Sequence, residues 1–535
     1  MLAGSLWAAS PLQPARAAAP GPAGVIATTG GAPARDLGRL HLDTVTIPQL
    51  QARMSAGALT PSELTRAYLK RIKAVDPRIH AVLRTDPSAL RQAAASDARH
   101  RAGSVRGPLD GIPVLIKDNV DTRGLSSTAG SLALAGSPPA SDAALVTRLR
   151  RAGAVILGKT NLSEWANFRA EKPTSGWSAV GGQTHNPYVL DRNPCGSSAG
   201  SGAALAASLA QVAIGTETDG SIVCPAGMNG VVGLKPTLGL VSARGVVPIS
   251  AEQDTAGPMA RNVVDVALTL AAIAERPAAA GEADTGAFVR AAAGRPTGSG
   301  GVRDLRGKRI GLWRLPSLGQ AVDDVMTRAT RRLRAAGAEV VEVTPPYQDR
   351  LAALEFPALL TEFHRDIDAY LATREGPRDL AALIAFNSGH AAERTCFAGQ
   401  ELFQQALAAP PTTDPGYRAM RAELRDLSRR SIDETMAAHH LDAIAAPTNP
   451  PAWTTDCARG DNDVIPSSTP AAVAGYPSLS VPAGSAGELP VGMLLMAGGH
   501  QDAELLSLGA AVERRLHAWR APRYLATTGA EAGAR

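Results

Sequence analysis

Pro194-Cys195-Gly196-Ser197-Ser198-Ala199-Gly200-Ser201, followed by Val212-Ala213-Ile214-Gly215-Thr216-Glu217-Thr218-Asp219-Gly220-Ser221-Ile222, is the stretch whose reading decides the fold. It opens as a turn and continues, over Ser198 to Leu209, as a helix of very small residues suited to close packing. Val212 to Gly215 is a short apolar run that reads as a buried strand. Thr218 to Ser221 is then a tight turn. Working outward, Ile112 to Lys117 is another apolar run bounded by Gly/Pro turns, and Ser141 to Ala152 reads as a helix stopped by Gly153 before a strand over Ala154 to Leu157. Further upstream, Thr60-Pro61-Ser62-Glu63 has the form of a capping box, with Leu64, Tyr68, Ile72 and Val75 at helical spacing behind it. Downstream, strands are expected at Lys308–Trp313, Glu339–Val343, Leu441–Ala446, Ser478–Val481 and Val491–Met496, and helices at Val322–Ala336 and Ala503–His517. Strands alternating with helices argue for an α/β sheet covered on both faces. No boundary splits the sheet, so one large domain is expected over 40–523, after a leader (1–39) and before a tail (524–535). Within that domain, 276–303 is Ala/Gly/Pro-rich and aperiodic and reads as a surface loop.

Bulk properties narrow the function classes. The chain has 535 residues, of which 45% are hydrophobic, 19% charged and only 4% aromatic. Its net charge is +5, interleaved along the chain with no basic arm or stripe, which argues against nucleic-acid binding. No run of 18 apolar residues exists, so neither a membrane span nor a membrane partner is expected. The leader is Ala/Pro/Gly-rich, with an apolar stretch at Leu2–Ala9 and Ala15-Arg16-Ala17 in the form of a cleavage site, and lacks a basic start. It reads as an export signal with a truncated start, with a disordered leader on a cytoplasmic protein as the alternative. None of the four cysteines has metal-ligand spacing. Cys195 and Cys224 read as small buried packing residues. Cys396 and Cys457 can pair in an exported protein, and two unpaired thiols is the alternative.

The chemistry lies in three places. A hydroxyl needs a base to become a nucleophile. A lysine is a base only when neutral, and burial in apolar surroundings makes it so. Lys117 ends an apolar run, and Ser197 and Ser221 lie in small-residue turns where backbone N–H groups can converge on an oxyanion. Gly196-Ser197-Ser198-Ala199-Gly200 also fits the nucleophile-elbow pattern of α/β-hydrolases, which makes Ser198 a rival nucleophile. That motif needs a strand directly before it, whereas Asp191-Arg192-Asn193-Pro194 reads as a turn. The downstream histidines His364, His390, His439, His440, His500 and His517 sit in no recognisable motif.

Together the three stretches resemble the amidase signature family, whose members share a Ser–cis-Ser–Lys triad. The resemblance covers about Leu40 to Arg523. It implies a single α/β/α domain around a mixed, mostly parallel sheet of about eleven strands. By matching motifs it implies Ser221 as nucleophile, Ser197 as the cis-serine, Lys117 as base, and the backbone N–H groups of Thr218, Asp219, Gly220 and Ser221 as oxyanion hole. The chain departs from the family's commonest pattern: Ser221-Ile222-Val223 stands where Ser-Ile-Arg is usual, Asp219 where Gly is usual, and Ala199 within the Gly-Ser-Ser-Gly run. These variants, with Gly158 to Phe168 and Gly181-Gly182-Gln183-Thr184, are similar to the bacterial peptide amidase branch, which removes C-terminal peptide amides. They point away from the amidase-type component of the tRNA-dependent amidotransferases. Small aliphatic, aryl or amino-acid amides are the alternative substrates.

Supporting positions are less defined. Asp118 and Asn119 follow the lysine and can position its amine, and Asp219 can brace the oxyanion turn instead. Trp165, Phe168 and Trp177 either line a pocket or pack. Pro447 to Trp453 is a Pro-rich loop at a strand end, where sheet proteins place substrate contacts. No zinc, phosphate-loop or dinucleotide fingerprint is present, so no metal, no cofactor and no obligate protein partner is expected.

Overall fold

The computed structural model describes residues 40–275, 285–292, 305–397, 399–461 and 467–529. The leader and most of 276–303 lie outside the described residues. The strands are β1 (Val82–Thr85), β2 (Pro113–Lys117), β3 (Val155–Thr160), β4 (Trp177–Ser178), β5 (Gly182–Gln183), β6 (Val212–Glu217), β7 (Val232–Lys235), β8 (Thr255–Ala260), β9 (Arg309–Trp313), β10 (Glu339–Val343), β11 (Ala443–Pro447), β12 (Ser478–Ala486) and β13 (Leu489–Met496). All but the β4–β5 hairpin join one 11-stranded sheet in the order β1-β3-β2-β6-β8-β7-β12-β13-β11-β9-β10.

The sheet is mixed, as expected, but not mostly parallel. Only β2–β3, β2–β6, β9–β10 and β9–β11 run parallel. The centre, from β6 through β8, β7, β12 and β13 to β11, is antiparallel throughout. β7 and β8 escape a sequence reading because they are written with loop residues. A Cβ on Gly257 would lie 2.0 Å from Leu234 O, and one on Gly233 2.7 Å from Ala226 Cβ. β7 lies so close to β8 on one side and to the helix Val223–Met228 on the other that glycine replaces the β-branched residues that usually signal a strand.

The small-residue helix, Ala199–Ala206, has all eight residues buried. It crosses the sheet so tightly that a Cβ on Gly200 would sit 2.4 Å from Ala81 O and 2.5 Å from Asn161 O. The helix behind the capping box runs Pro61–Val75, with Thr60 Oγ1 accepting from Glu63 N as expected. Inside the segment read as a loop, Thr285–Ala292 is helical. Its Phe288 is buried in the main core, so tertiary packing overrides an aperiodic, Ala-rich sequence. The boundary placed after Arg523 is too early: Leu525 N donates to Tyr188 O, Leu190 N donates to Leu525 O, and Arg192 Nη2 donates to Thr528 Oγ1. Helices over Gln348–Leu371, Leu380–Gly389 and Glu401–Ala408 carry a second apolar cluster, built on Phe363, Phe403 and Leu371, that packs against Trp165, Phe168, Val247 and Ile249. No described helix is long and apolar enough to cross a membrane.

Both cysteine pairs are bridged. Cys396 joins Cys457, closing 61 residues of chain, and Cys195 joins Cys224. The second bridge corrects the reading of Cys195 and Cys224 as packing residues. Buried thiols on two segments that fold against each other are close enough to couple, and sequence spacing does not reveal that.

Denatured, unreduced protein is expected to show no free thiols on titration. The Cys396→Ser/Cys457→Ser variant is expected to lose about 4 kcal/mol in urea unfolding under the chain-entropy model. An unchanged unfolding midpoint with two thiols titrating in the wild type would refute both statements.

Candidate active site

Parallel pairing brings the site together. β2 and β6 are neighbours with Ile116 level with Ile214, so their C-terminal ends, at Lys117 and Glu217, finish at one edge. Such an edge, where strand ends meet the turns that follow, is where α/β sheets place their chemistry. The helix Ala199–Ala206 starts at the same edge and sets Ser197 just before its first turn. The Gly196–Ser197 peptide bond is cis. Ser198 N donates to Ser221 O at 3.1 Å, tying the two serine-bearing segments directly. The Cys195–Cys224 bridge ties them again.

Lys117 is fully buried. Its Nζ donates to Ser197 Oγ at 2.7 Å, to Thr216 Oγ1 at 2.8 Å and to Thr216 O at 3.2 Å. All three acceptors are neutral. Desolvation therefore pushes the amine well below its usual range, and the more remote carboxylates Glu217 and Asp254 offset only part of it. Asn119 Nδ2 donates to the same Thr216 Oγ1 at 3.0 Å, so it positions the lysine through Thr216. Asp118 does not serve Lys117. Its Oδ2 accepts from the N–H and hydroxyl of Thr128, and its Oδ1 faces Lys159 Nζ at 3.7 Å. The residue after a strand end points to the opposite face, which is why two adjacent side chains serve different lysines.

The turn after β6 is built for anions. Gly220 has φ 77°, the left-handed region that favours glycine, and its carbonyl starts the next helix by accepting from Cys224 N. The N–H groups of Thr218, Asp219, Gly220 and Ser221 engage no acceptor among the described residues. Those of Ile222 and Val223, by contrast, donate to Glu217 Oε2 at 2.7 and 3.0 Å. Thr218 Oγ1 donates to Asp254 Oδ1 at 2.5 Å, and the same carboxyl takes Ile249 N and Ser250 N. Burial pushes Asp254 up to about 7.

Ser221 separates two spaces. On one side is a recess of about 10 Å³, lined by Ser197, Thr216, Thr218, Ser221, Val247 and Asp254 among others, roughly the room of one water molecule. On the other is a cleft of about 150 Å³ walled by Ala166, Phe168, Ile249 and Leu359, with Ser175, Thr218 and Asp219 as polar neighbours. A hydroxyl that lines both a recess the size of one water and a larger cleft of mixed polarity can divide a substrate into a small part and a bulky part.

The remaining sequence candidates scatter. Ser198 Oγ is held by Thr216, accepting from its N and donating to its O, both at 3.2 Å, so it faces backbone rather than a cavity. No histidine lines either space among the described residues. Trp177 packs edge-on against Phe397 at 5.1 Å and Trp165 against Phe403 at 6.0 Å; of the three aromatics only Phe168 reaches the cleft. The Pro447–Trp453 loop braces the Ser197 segment from behind, with Trp453 O accepting from Asn193 N at 2.8 Å. Thr216, Glu217 and Asp254 have no place in the sequence reading. Thr216 and Glu217 lie inside the quoted stretch, and a carboxylate at the end of a buried strand was the available signal; nothing in sequence links Asp254 to the turn.

Comparisons with known proteins agree with this geometry. The Amidase family profile matches residues 63–506. A probable amidase of Arabidopsis thaliana is 37% identical, covering 91% of this chain and 92% of its own. One component of the glutamyl-tRNA(Gln) amidotransferase of Salinispora arenicola is 35% identical over 88% of this chain and 97% of its own. The solved structure of the native peptide amidase from Stenotrophomonas maltophilia superposes with a TM-score of 0.84 at 49% identity, covering 90% of this chain and 98% of that one. With the edge of β2 and β6, the buried lysine and the open turn amides described above, this chain belongs to the amidase signature family and is an amide hydrolase.

Proposed function

We propose that the chain removes the C-terminal amide of peptides, releasing ammonia, with Ser221 as nucleophile. The observation that carries the reading is the 2.7 Å contact of a buried, depressed Lys117 amine with Ser197, whose hydroxyl shares the recess with Ser221. Ser221 attacks the amide carbonyl carbon and passes its proton by way of Ser197 to Lys117. The N–H groups of Thr218, Asp219, Gly220 and Ser221 hold the developing oxyanion. The proton returns through the same relay to the nitrogen, the C–N bond breaks, and ammonia leaves. Water then attacks the acyl-enzyme, giving the carboxylic acid and free Ser221. The recess supports a primary amide, because it has room for –NH₂ and little more. The larger cleft, walled by Phe168, Ile249 and Leu359 with Ser175, Thr218 and Asp219 as polar neighbours, supports a bulkier peptide acyl part. The likeness to the Stenotrophomonas peptide amidase supports the same substrate class. An amidotransferase role would need a partner to receive the ammonia; ammonia release by the purified single chain separates the two.

Ser221→Ala is expected to abolish acyl-enzyme formation. Lys117→Ala is expected to lose at least the roughly 10²–10⁴-fold of general-base help. Ser197→Ala is expected to be far more damaging than Ser198→Ala. A dead Ser198→Ala beside an active Ser221→Ala would hand the chemistry to the elbow serine.

The active form carries a neutral Lys117. Activity therefore falls as pH drops and the amine protonates, and it is retained on the alkaline side of that transition. A kcat/KM profile that rises towards acid contradicts the base assignment.

An amidated peptide is expected to gain about 1 Da at its C-terminus without internal fragments as the acyl-enzyme is hydrolysed. The corresponding N-methylamide is expected to react at least tenfold more slowly, the scale of one unaccommodated methyl group. Val247→Ala, which opens the recess, narrows that ratio. Equal turnover of both amides by the wild type would remove the recess as the discriminating element.

A further inference from the structure

Asp219 replaces the glycine usual in the resembled motif, and the structure gives it a partner. Its Oδ2 accepts from Thr469 Oγ1 at 2.6 Å, the Ser468 side chain is a second hydrogen-bonding neighbour of the carboxyl, and Oδ1 is buried without a well-placed donor of its own among the described residues. The side chain hydrogen-bonded to Asp219 from the helix Gln348–Leu371 is another carboxyl, Glu355. Glu355 Oε1 in turn accepts from Gln253 Nε2 at 2.8 Å, and that amide nitrogen also reaches Thr218 O at 3.4 Å. Arg421 Nη1 fixes Gln253 by donating to its Oε1 at 2.6 Å. A chain of contacts therefore runs from Thr469 through Asp219, Glu355 and Gln253 back to the carbonyl of Thr218. It encloses the turn whose N–H groups are open.

We propose that Asp219 and Glu355 share one proton, and that this carboxyl–carboxylate pair positions the oxyanion turn by clamping it to the helix Gln348–Leu371. The inference rests on the reading of that turn given above. Glu355 carries the proton and donates it to Asp219 Oδ1, which satisfies the one acceptor left bare. Two ionised carboxylates at hydrogen-bonding distance repel, so the pair holds together only while one proton remains. The surroundings agree with this assignment. Burial and the Asp219 charge push Glu355 well above the usual carboxylate range. Asp219 is also raised by burial, with Ser468, Thr469, Glu355 and Lys235 acting against that. The charged groups facing the pair are Lys235 and Glu217 beneath Asp219 and Arg421 beside Glu355; Asp254 grips the turn from its other flank through Thr218. Lys235 and Arg421 favour the single negative charge, and Glu217 opposes a second one. When the shared proton leaves at alkaline pH, the clamp opens and the N–H groups lose their aim. The two carboxyls act through the turn and do not touch the reacting atoms, so the side chains of Asp219 and Glu355 are positioning groups.

The test uses the full chain. Glu355→Ala is expected to lower kcat by roughly ten- to a hundredfold, the scale of a small misplacement of reacting groups, with KM little changed. Glu355→Gln still donates to Asp219 Oδ1 but has no proton to lose. It is expected to recover most of that kcat and to abolish the alkaline fall in kcat, while the acid limb set by Lys117 stays in place. Infrared difference spectra of wild type against Glu355→Gln at neutral pH are expected to show a protonated carboxyl band, which reads the pair independently of turnover. Wild-type kcat in Glu355→Ala, an alkaline limb unchanged in Glu355→Gln, or no such band overturns the proposal. A wild-type chain that releases no ammonia from any primary amide would instead defeat the hydrolase mechanism at Ser221, leaving the infrared result to decide the pair.

Discussion

An amine without a counter-ion is the constraint on which the rest of the molecule depends. Taking an ammonium out of water into protein costs several kcal/mol even after relaxation. A buried lysine therefore either finds a carboxylate or gives up its proton. The sheet holds both outcomes on adjacent strands. Lys159, on β3, faces Asp118 at 3.7 Å and donates to Val120 O, Thr122 Oγ1 and Ser127 Oγ; its amine is held at about 8. Lys117, on β2, meets only hydroxyls and a carbonyl and is pushed well below its usual range. The difference lies in which side chain Asp118 faces. By committing that carboxylate to Lys159 and Thr128, the fold leaves Lys117 without an ion partner.

Everything around Lys117 keeps that arrangement. The parallel pairing of β2 with β6 sets the lysine one residue short of Thr216, which supplies two of its three acceptors. The eight buried small residues of the helix Ala199–Ala206 pack tightly and bring Ser197 within reach of the amine. Glu217 holds the N–H groups of Ile222 and Val223, so those of the preceding four residues are the ones left open. The buried amine, the serine hydroxyl it meets and the turn with open N–H groups are thus three consequences of one strand pairing.

The sequence made the local pieces of this legible and left the long-range ones dark. Lys117 and the strand before it, the small-residue helix, and the turn ending at Ser221 all carry strong local signals: an apolar run, a block of alanine and glycine, a Thr-Asp-Gly-Ser turn. The family resemblance extended those signals to an 11-stranded mixed sheet. β7 and β8 stayed hidden because close strand contact requires Gly233, Gly257 and Pro258, the residues that elsewhere mean loop. Their absence from the reading is also why the sheet was expected to be mostly parallel, since the antiparallel centre runs through them. Asp118 serves Lys159 because adjacency in sequence says nothing about which face a side chain takes, and the Cys195–Cys224 bridge was hidden because sequence spacing does not show which segments meet. Asp254, Gln253 and Glu355 reach the turn from segments far along the chain, and only the folded molecule places them there.

The wall of the cleft has a different origin from its floor. Ser221, Ser197 and Lys117 stand on the sheet edge, among residues so close that a single added carbon at Gly200 would strike backbone. Leu359, one of the apolar side chains facing them, comes instead from the outer helix Gln348–Leu371, whose Phe356, tilted against Phe168 at 6.2 Å, is already exposed. The sheet edge therefore tolerates no added bulk at Gly200, while part of the wall that faces it is borne by an outer helix. Changes on that helix can reshape the cleft, but only those that leave Glu355, on the same helix, in place beside Asp219 keep the turn beneath it undisturbed.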